Sequence, residues 1–99
     1  MRRVLVDYGR ALETHDLALF KALKPDLSAE EEKRLQESFK AIRSHEVGIT
    51  VQSVQVEGAQ ATVRVSRHDV VNGKPMKEQQ QMFRLVQKGS GWTIVSIGQ

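Results

Sequence analysis

The chain has 99 residues, 39% of them hydrophobic and 27% charged, with no cysteine and a formal net charge of +3. That length holds one small domain, the missing thiols exclude disulfides and Cys-ligated zinc, and no apolar run approaches the roughly 18 residues of a membrane span. Basic and acidic residues interleave along the chain, so the surface reads as mixed and solvated, not as a nucleic-acid footprint.

Met1, Arg2 and Arg3 resemble the charged start of a signal peptide, but Asp7 and Arg10 break up the adjoining stretch before an apolar region can form. A cytoplasmic setting is therefore expected. The first helix begins almost at Met1 with no lead-in, which suits a domain cut from a longer protein.

Val4, Tyr8 and Leu12 recur at i, i+4 and i+8, with Leu5 and Ala11 beside them, and predict an amphipathic helix over roughly 2 to 14. Asp16 can cap a second, short helix whose buried side is Leu17, Phe20 and Leu23. Pro25 stops it, because the residue before a proline is pushed out of the helical region. Ser28 with Glu31 forms a capping box, and Glu30 to Glu32 place negative charge at the positive end of a third helix over roughly 29 to 44. That helix is expected to bury Leu35, Phe39 and Ile42, with Lys40 and Arg43 in its last turns.

Around Gly48 the apolar period changes from helical to alternating. Val47, Ile49 and Val51 occupy odd positions and Val54 and Val56 even ones, which requires a bulge near Gln52 and Ser53. Glu57 and Gly58 read as a hairpin turn into a strand over roughly 60 to 71. Asn72 and Gly73 mark the next turn, with Pro75 keeping the loop out of the ladder. Gln79 to Lys88 is the third strand, Gly89 to Gly91 the third turn and Trp92 to Ile97 the fourth strand. The fold class is α+β: three N-terminal helices packed on a curved four-stranded antiparallel meander, in two layers.

Successive side chains of a strand point to opposite sides. On strand two Ala61, Val63 and Val65 mark the core face, and the same parity continues to Arg67 and Asp69. On strand three Phe83 and Leu85 mark it, and the parity runs back to Gln79 and Gln81. In simple register these four polar residues gather on the concave side at one end of the sheet, beside the apolar core, as in a ligand pocket. The alternative is that the strand ends overhang the helices, with Arg67 and Asp69 a wet surface pair. On the opposite face Met82, Val86, Val95 and Ile97 interleave with Thr62, Arg64, Arg84 and Thr93, and a homodimer packed sheet to sheet is the expected cover.

His15, His45 and His68 have no partner at metal-ligand spacing and read as loop or surface residues, so neither a metal nor a cofactor is expected. Asp69 is the candidate general base if it faces a pocket, although Arg67 beside it would lower its pKa. Tyr8, on the helix stripe facing the sheet, could donate a hydrogen bond to a ligand oxygen. Arg64, Arg84 and Lys88 are the residues an acidic partner would meet on the outer sheet.

The stretch "YGRALETHDLALFKAL" from Tyr8 to Leu23 resembles the opening of nuclear transport factor 2-like domains, and the ending "GSGWTIVSI" resembles their last hairpin and strand. More narrowly, the chain resembles the small domains of this type at the C-terminal end of some bacterial serine/threonine protein kinases. The resemblance implies a cone with a pocket between sheet and helices, often dimeric through the sheet. The family's strand hairpin between helices two and three is missing, because Pro25 to Ser28 is too short for one, which leaves the cone shallower. The expected function is a non-catalytic accessory domain that binds a small ligand or the parent protein through Tyr8, Arg67, Asp69, Gln79 and Gln81. It would dimerise through Met82, Val86, Val95 and Ile97. The alternative is a small isomerase, dehydratase or cyclase with Asp69 as base.

Overall fold

Helix α1 (Arg2–Thr14) turns its buried stripe of Val4, Leu5, Tyr8, Ala11 and Leu12 onto the sheet, as the i, i+4 spacing predicts. The computed structural model describes residues 2–89 and 91–98, so Met1 lies outside the described residues. His15 ends the helix in the left-handed region at φ 55°. Its amide reaches Leu12 O at 3.4 Å and the Asp16 amide reaches Ala11 O at 2.9 Å, the paired bonds of a Schellman turn.

Asp16 then caps α2 (Leu17–Leu23), accepting from the Leu19 amide at 3.0 Å. Ser28 caps α3 (Ala29–Ala41) by accepting from the Glu31 amide at 3.1 Å. The serine hydroxyl donates to Glu31 Oε1 at 3.0 Å, so the box closes through the two side chains. Helix α3 is shorter than the sequence predicts. Ile42 is its extended cap, at φ −100° and ψ 119°, and Arg43 lies past the end. The chain is pulled out of helix there because Asn72 Oδ1 accepts from the Arg43 and Ser44 amides at 2.7 and 3.1 Å. No residue of α3 is fully buried; Leu35 and Phe39 pack against the core from outside, and Ile42 is half-buried.

The strands are β1 (His45–Glu57), β2 (Gln60–Val71), β3 (Lys74–Pro75), β4 (Gln79–Lys88) and β5 (Gly91–Gly98). Their order is β1-β2-β4-β5, all antiparallel, with β3 paired to β2. The meander is therefore present, with one short strand added. Pro75 joins the ladder opposite Val70 instead of staying out of it; an edge position tolerates its missing N–H. Asn72 and Gly73 both take positive φ, 52° and 81°, as a two-residue hairpin of right-handed twist requires. Of the turn expected at Gly89 to Gly91, Ser90 lies outside the described residues.

Two bulges shape the sheet. The first falls between Val51 and Ser53, as the parity change predicts. The second was not visible in the sequence: Arg84 pairs with Ser96 and Leu85 with Ile94, leaving Val95 as the extra residue. It corrects one assignment. Ile97 pairs with Phe83 on the core face and packs against the core, so it is not on the outer face with Met82, Val86 and Val95. Ile94 and Ile97 both turn inward because the bulge resets the period of two. The core itself is Val63, Val65, Phe83, Leu85 and Ile94, each at most 1% exposed, beneath α1. Among the described residues no helix is long and apolar enough to cross a membrane.

Candidate functional site

Two residues past the last core valine of β2, the same face turns polar. Arg67 stands opposite Ile49 of β1 and Gln79 of β4, and Asp69 opposite Val47. Being two apart on one strand, the two side chains lie next to each other on the concave side. Arg67 Nε donates to Asp69 Oδ1 at 2.7 Å and Nη2 donates to Oδ2 at 2.6 Å, a two-point fork that matches guanidinium to carboxylate. Nη1 donates to the Tyr8 hydroxyl at 3.0 Å. On the far side His45 Nε2 lies 2.6 Å from Asp69 Oδ2, placing a ring N–H on the carboxylate.

This four-residue network is nearly dry. The side chains of His45, Arg67 and Asp69 are 7%, 13% and 15% exposed, and Tyr8 is buried. The tyrosine ring is fixed edge-on against Phe83, with centroids 5.0 Å apart, and tilted against Phe20 at 5.7 Å. Such contacts set the hydroxyl at the rim of the core. Behind β2, the Met76 amide bonds to Asp69 O at 2.8 Å, and Ser66 donates to the Glu78 carboxylate, so the loop after β3 holds the strand from outside.

Burial disfavours the charge on Asp69, but the bonds from Arg67 and His45 outweigh it and hold the carboxyl below its ordinary range. For Arg67 burial also opposes the charge, and the bond to Asp69 with the neighbouring Tyr8 raises its pKa all the same. Burial pushes the Tyr8 phenol up. At neutral pH Arg67 and Asp69 are thus an ion pair flanked by a neutral phenol.

Of the residues expected at the site, the structure brings together Tyr8, Arg67 and Asp69. Gln81 is half-buried one pair further along, opposite Val65, and its Oε1 is buried with no donor among the described residues. Gln79 is exposed at the start of β4, opposite Arg67. His45 was not expected there. It shares the odd parity of Val47 and Ile49, so counting back from the apolar run gives its face, and the register of β1 on β2, with Val47 opposite Asp69, brings it beside the carboxylate. His15 and His68 do sit outside the network, His15 stacked on Phe39 with centroids 4.9 Å apart and His68 exposed. A groove of about 570 Å³ opens on the other flank of α1, over β1, and touches none of the four network residues. Among the described residues no cluster could hold a metal ion.

No protein-family model matches the chain, and no curated protein does. Solved structures do. It is similar to the Kfla4162 protein of Kribbella flavida, at a TM-score of 0.81 and 14% identity over 97% of this chain and 84% of that one. A conserved protein of Planctomyces limnophilus gives 0.80 and 14%, over 99% and 90%. A designed protein of the Rd1NTF2 series gives 0.78 and 12%, over 98% and 93%. At these identities the likeness bears on architecture alone: the chain adopts the nuclear transport factor 2-like cone, three helices followed by a curved antiparallel sheet.

Proposed function

We propose that the chain is a non-catalytic binding module that takes a small polar ligand on the concave face beside Arg67 and Gln81. One observation carries this reading. A guanidinium has five N–H groups; three are engaged by Asp69 and Tyr8, and among the described residues the other two have no acceptor, on the same face as the Gln81 amide oxygen, which has no donor there. Donors and an acceptor side by side suit a ligand carrying a carbonyl next to an N–H or O–H, such as a small primary amide or a hydroxy acid. Asp69 argues against the alternative of an isomerase or cyclase, because a general base needs a free, raised carboxylate and this one is held by three hydrogen bonds.

The test is a panel of small amides and hydroxy acids titrated into labelled protein. Shifts of the Arg67 Nε–H and Gln81 side-chain amide signals are expected, and their loss in Gln81→Met. A panel that moves neither signal, or deuterium exchange catalysed at a ligand carbon, removes the reading.

The same proposal includes a homodimer through the outer sheet face. Its support is Val95, 40% exposed, between half-exposed Met82 and Val86. Light scattering should give twice the chain mass for the wild type and the single mass for Val95→Lys. The resemblance to the small domains at the C-terminal end of bacterial serine/threonine kinases supports an accessory place beside such a signalling enzyme in the cytoplasm.

A further inference from the structure

We propose that the groove between α1 and the free edge of β1 binds an extended acidic peptide segment of another protein, which adds to the sheet as a further strand. The site is separate from the Arg67 network. Strand β1 is first in the sheet order, so one of its edges has no partner strand among the described residues. The Val47 amide points off that edge, donating to Glu13 Oε2 at 2.9 Å. In an antiparallel ladder the direction of N–H and C=O alternates, so those of Ile49 and Val51 point off the edge as well. Nothing on α1 reaches them as Glu13 reaches Val47. The floor beside them is apolar, built from Leu5, Gly9, Ile49 and Val51, and Val6 stands at the rim 61% exposed. Alternating donors and acceptors along an apolar floor are what a β-strand satisfies and an alkyl chain does not.

Two arginines and one carboxylate line the groove; the carboxylate, Glu13, is engaged by the Val47 amide at one end, which leaves the arginines to set the charge of the occupant. Arg2 and Arg10 both line the groove, and neither has an acidic partner among the described residues. The other helix arginines differ: Arg3 pairs with Asp7 at 3.2 Å and Arg34 with Glu30 at 3.1 Å. Eight residues of helix separate the two guanidinium-bearing positions, about 12 Å at 1.5 Å per residue. Four residues of strand span about 13 Å. Since alternate side chains of a strand share a face, the segment that fits reads acidic, any, apolar, any, acidic: both acids meet the arginines and the apolar residue meets the floor. The groove is bounded at one end by Glu13 on Val47 and at the other by the bulge after Val51, which matches a segment of about this length.

The probe is the capped peptide Glu-Thr-Val-Thr-Glu, titrated into ¹⁵N-labelled full chain. Shifts and slowed exchange are expected at the Ile49 and Val51 amides, with no change at Arg67. Replacing both glutamates of the peptide by glutamine should weaken binding at least tenfold, as should the double variant Arg2→Glu with Arg10→Glu. Arg2→Lys with Arg10→Lys should largely retain it. Two further peptides, each N-methylated on alternate amides, separate strand addition from adhesion: one form loses binding and the other keeps it. Equal binding by both methylated forms, unchanged binding by the glutamine peptide, or groove shifts with sodium decanoate and none with the peptide would each overturn the proposal. If the arginine double variant does not fold, the peptide series still decides.

Discussion

Gly9 on α1 and Ile49 on β1 face each other across a space that would just hold one methyl group. A Cβ on Gly9 would stand 3.7 Å from Ile49 Cδ1 and 3.8 Å from Val47 Cγ1, ordinary contact distances. The position has no positive φ to protect. Glycine inside a helix costs about 0.5 to 1 kcal/mol relative to alanine. Gly9→Ala should therefore stabilise the fold by about that amount in denaturant titration; a loss of stability would mean that α1 cannot sit this close to β1 with a side chain in between.

Removing the charge of Asp69 should reveal what the Arg67 fork is worth. Asp69→Asn leaves a buried guanidinium without its counter-ion, a change that costs about 3 kcal/mol in comparable pairs. The pH dependence has a definite sign. The folded carboxyl titrates below its ordinary value, so its contribution is complete above about pH 4 and is lost as pH falls through the lower folded value. The wild type and Asp69→Asn should converge in stability below that point, and parallel curves would show that the pairing is not what shifts the group.

Tyr8→Phe tests the other end of the network. It keeps the ring against Phe83 and removes the acceptor of the Arg67 Nη1 bond, which should cost about 1 to 2 kcal/mol. The phenol is raised in the folded chain, so its contribution is full below about pH 10 and is lost as pH rises beyond it. The variant should show a flatter alkaline limb in thermal melts.

Asn72 serves two purposes at once, and two variants pull them apart. Asn72→Gly keeps the left-handed backbone and loses the side-chain bonds to Arg43 and Ser44, for about 1 kcal/mol. Asn72→Ala loses both and adds about 1 kcal/mol of backbone strain. Chemical denaturation should rank them wild type, Gly, Ala; an equal loss in both would show that the backbone conformation carries no cost.

Gln81→Met replaces a buried, undonated amide oxygen by an apolar group of similar length. An unsatisfied buried polar atom costs about 1 to 3 kcal/mol, so the variant should melt higher than the wild type in the absence of ligand. A lower melting temperature would indicate that the amide already has a partner in the unliganded protein.

The helices were legible because their signals are local: the Val4, Tyr8, Leu12 stripe, the Asp16 cap and the Ser28 to Glu31 pair each sit within a few residues of the structure they dictate. The bulge after Val51 was legible because apolar residues flank it on both sides. The bulge at Val95 was not, since Ile94, Val95 and Ile97 are all apolar and leave no parity to break. The Arg67 and Asp69 pairing was readable from strand parity. His45 was missed because its contact depends on the register of β1 against β2, where Val47 meets Asp69, and register is a long-range property. The exposure of Gln79 was not legible for a related reason: parity tells which face a residue takes but not whether that part of the face is covered.

Helix α3 carries its own cap and a well-formed first turn, yet none of its side chains is fully buried, and one of its attachments is the stack of Phe39 on His15. A segment that contributes so little to the shared interior can detach without dissolving it. Amide hydrogen exchange should then divide the molecule into two cooperative units, with α3 exchanging far faster than α1 and the central strands. The first event of unfolding would be the release of this helix, and the last structure to persist would be α1 on the sheet.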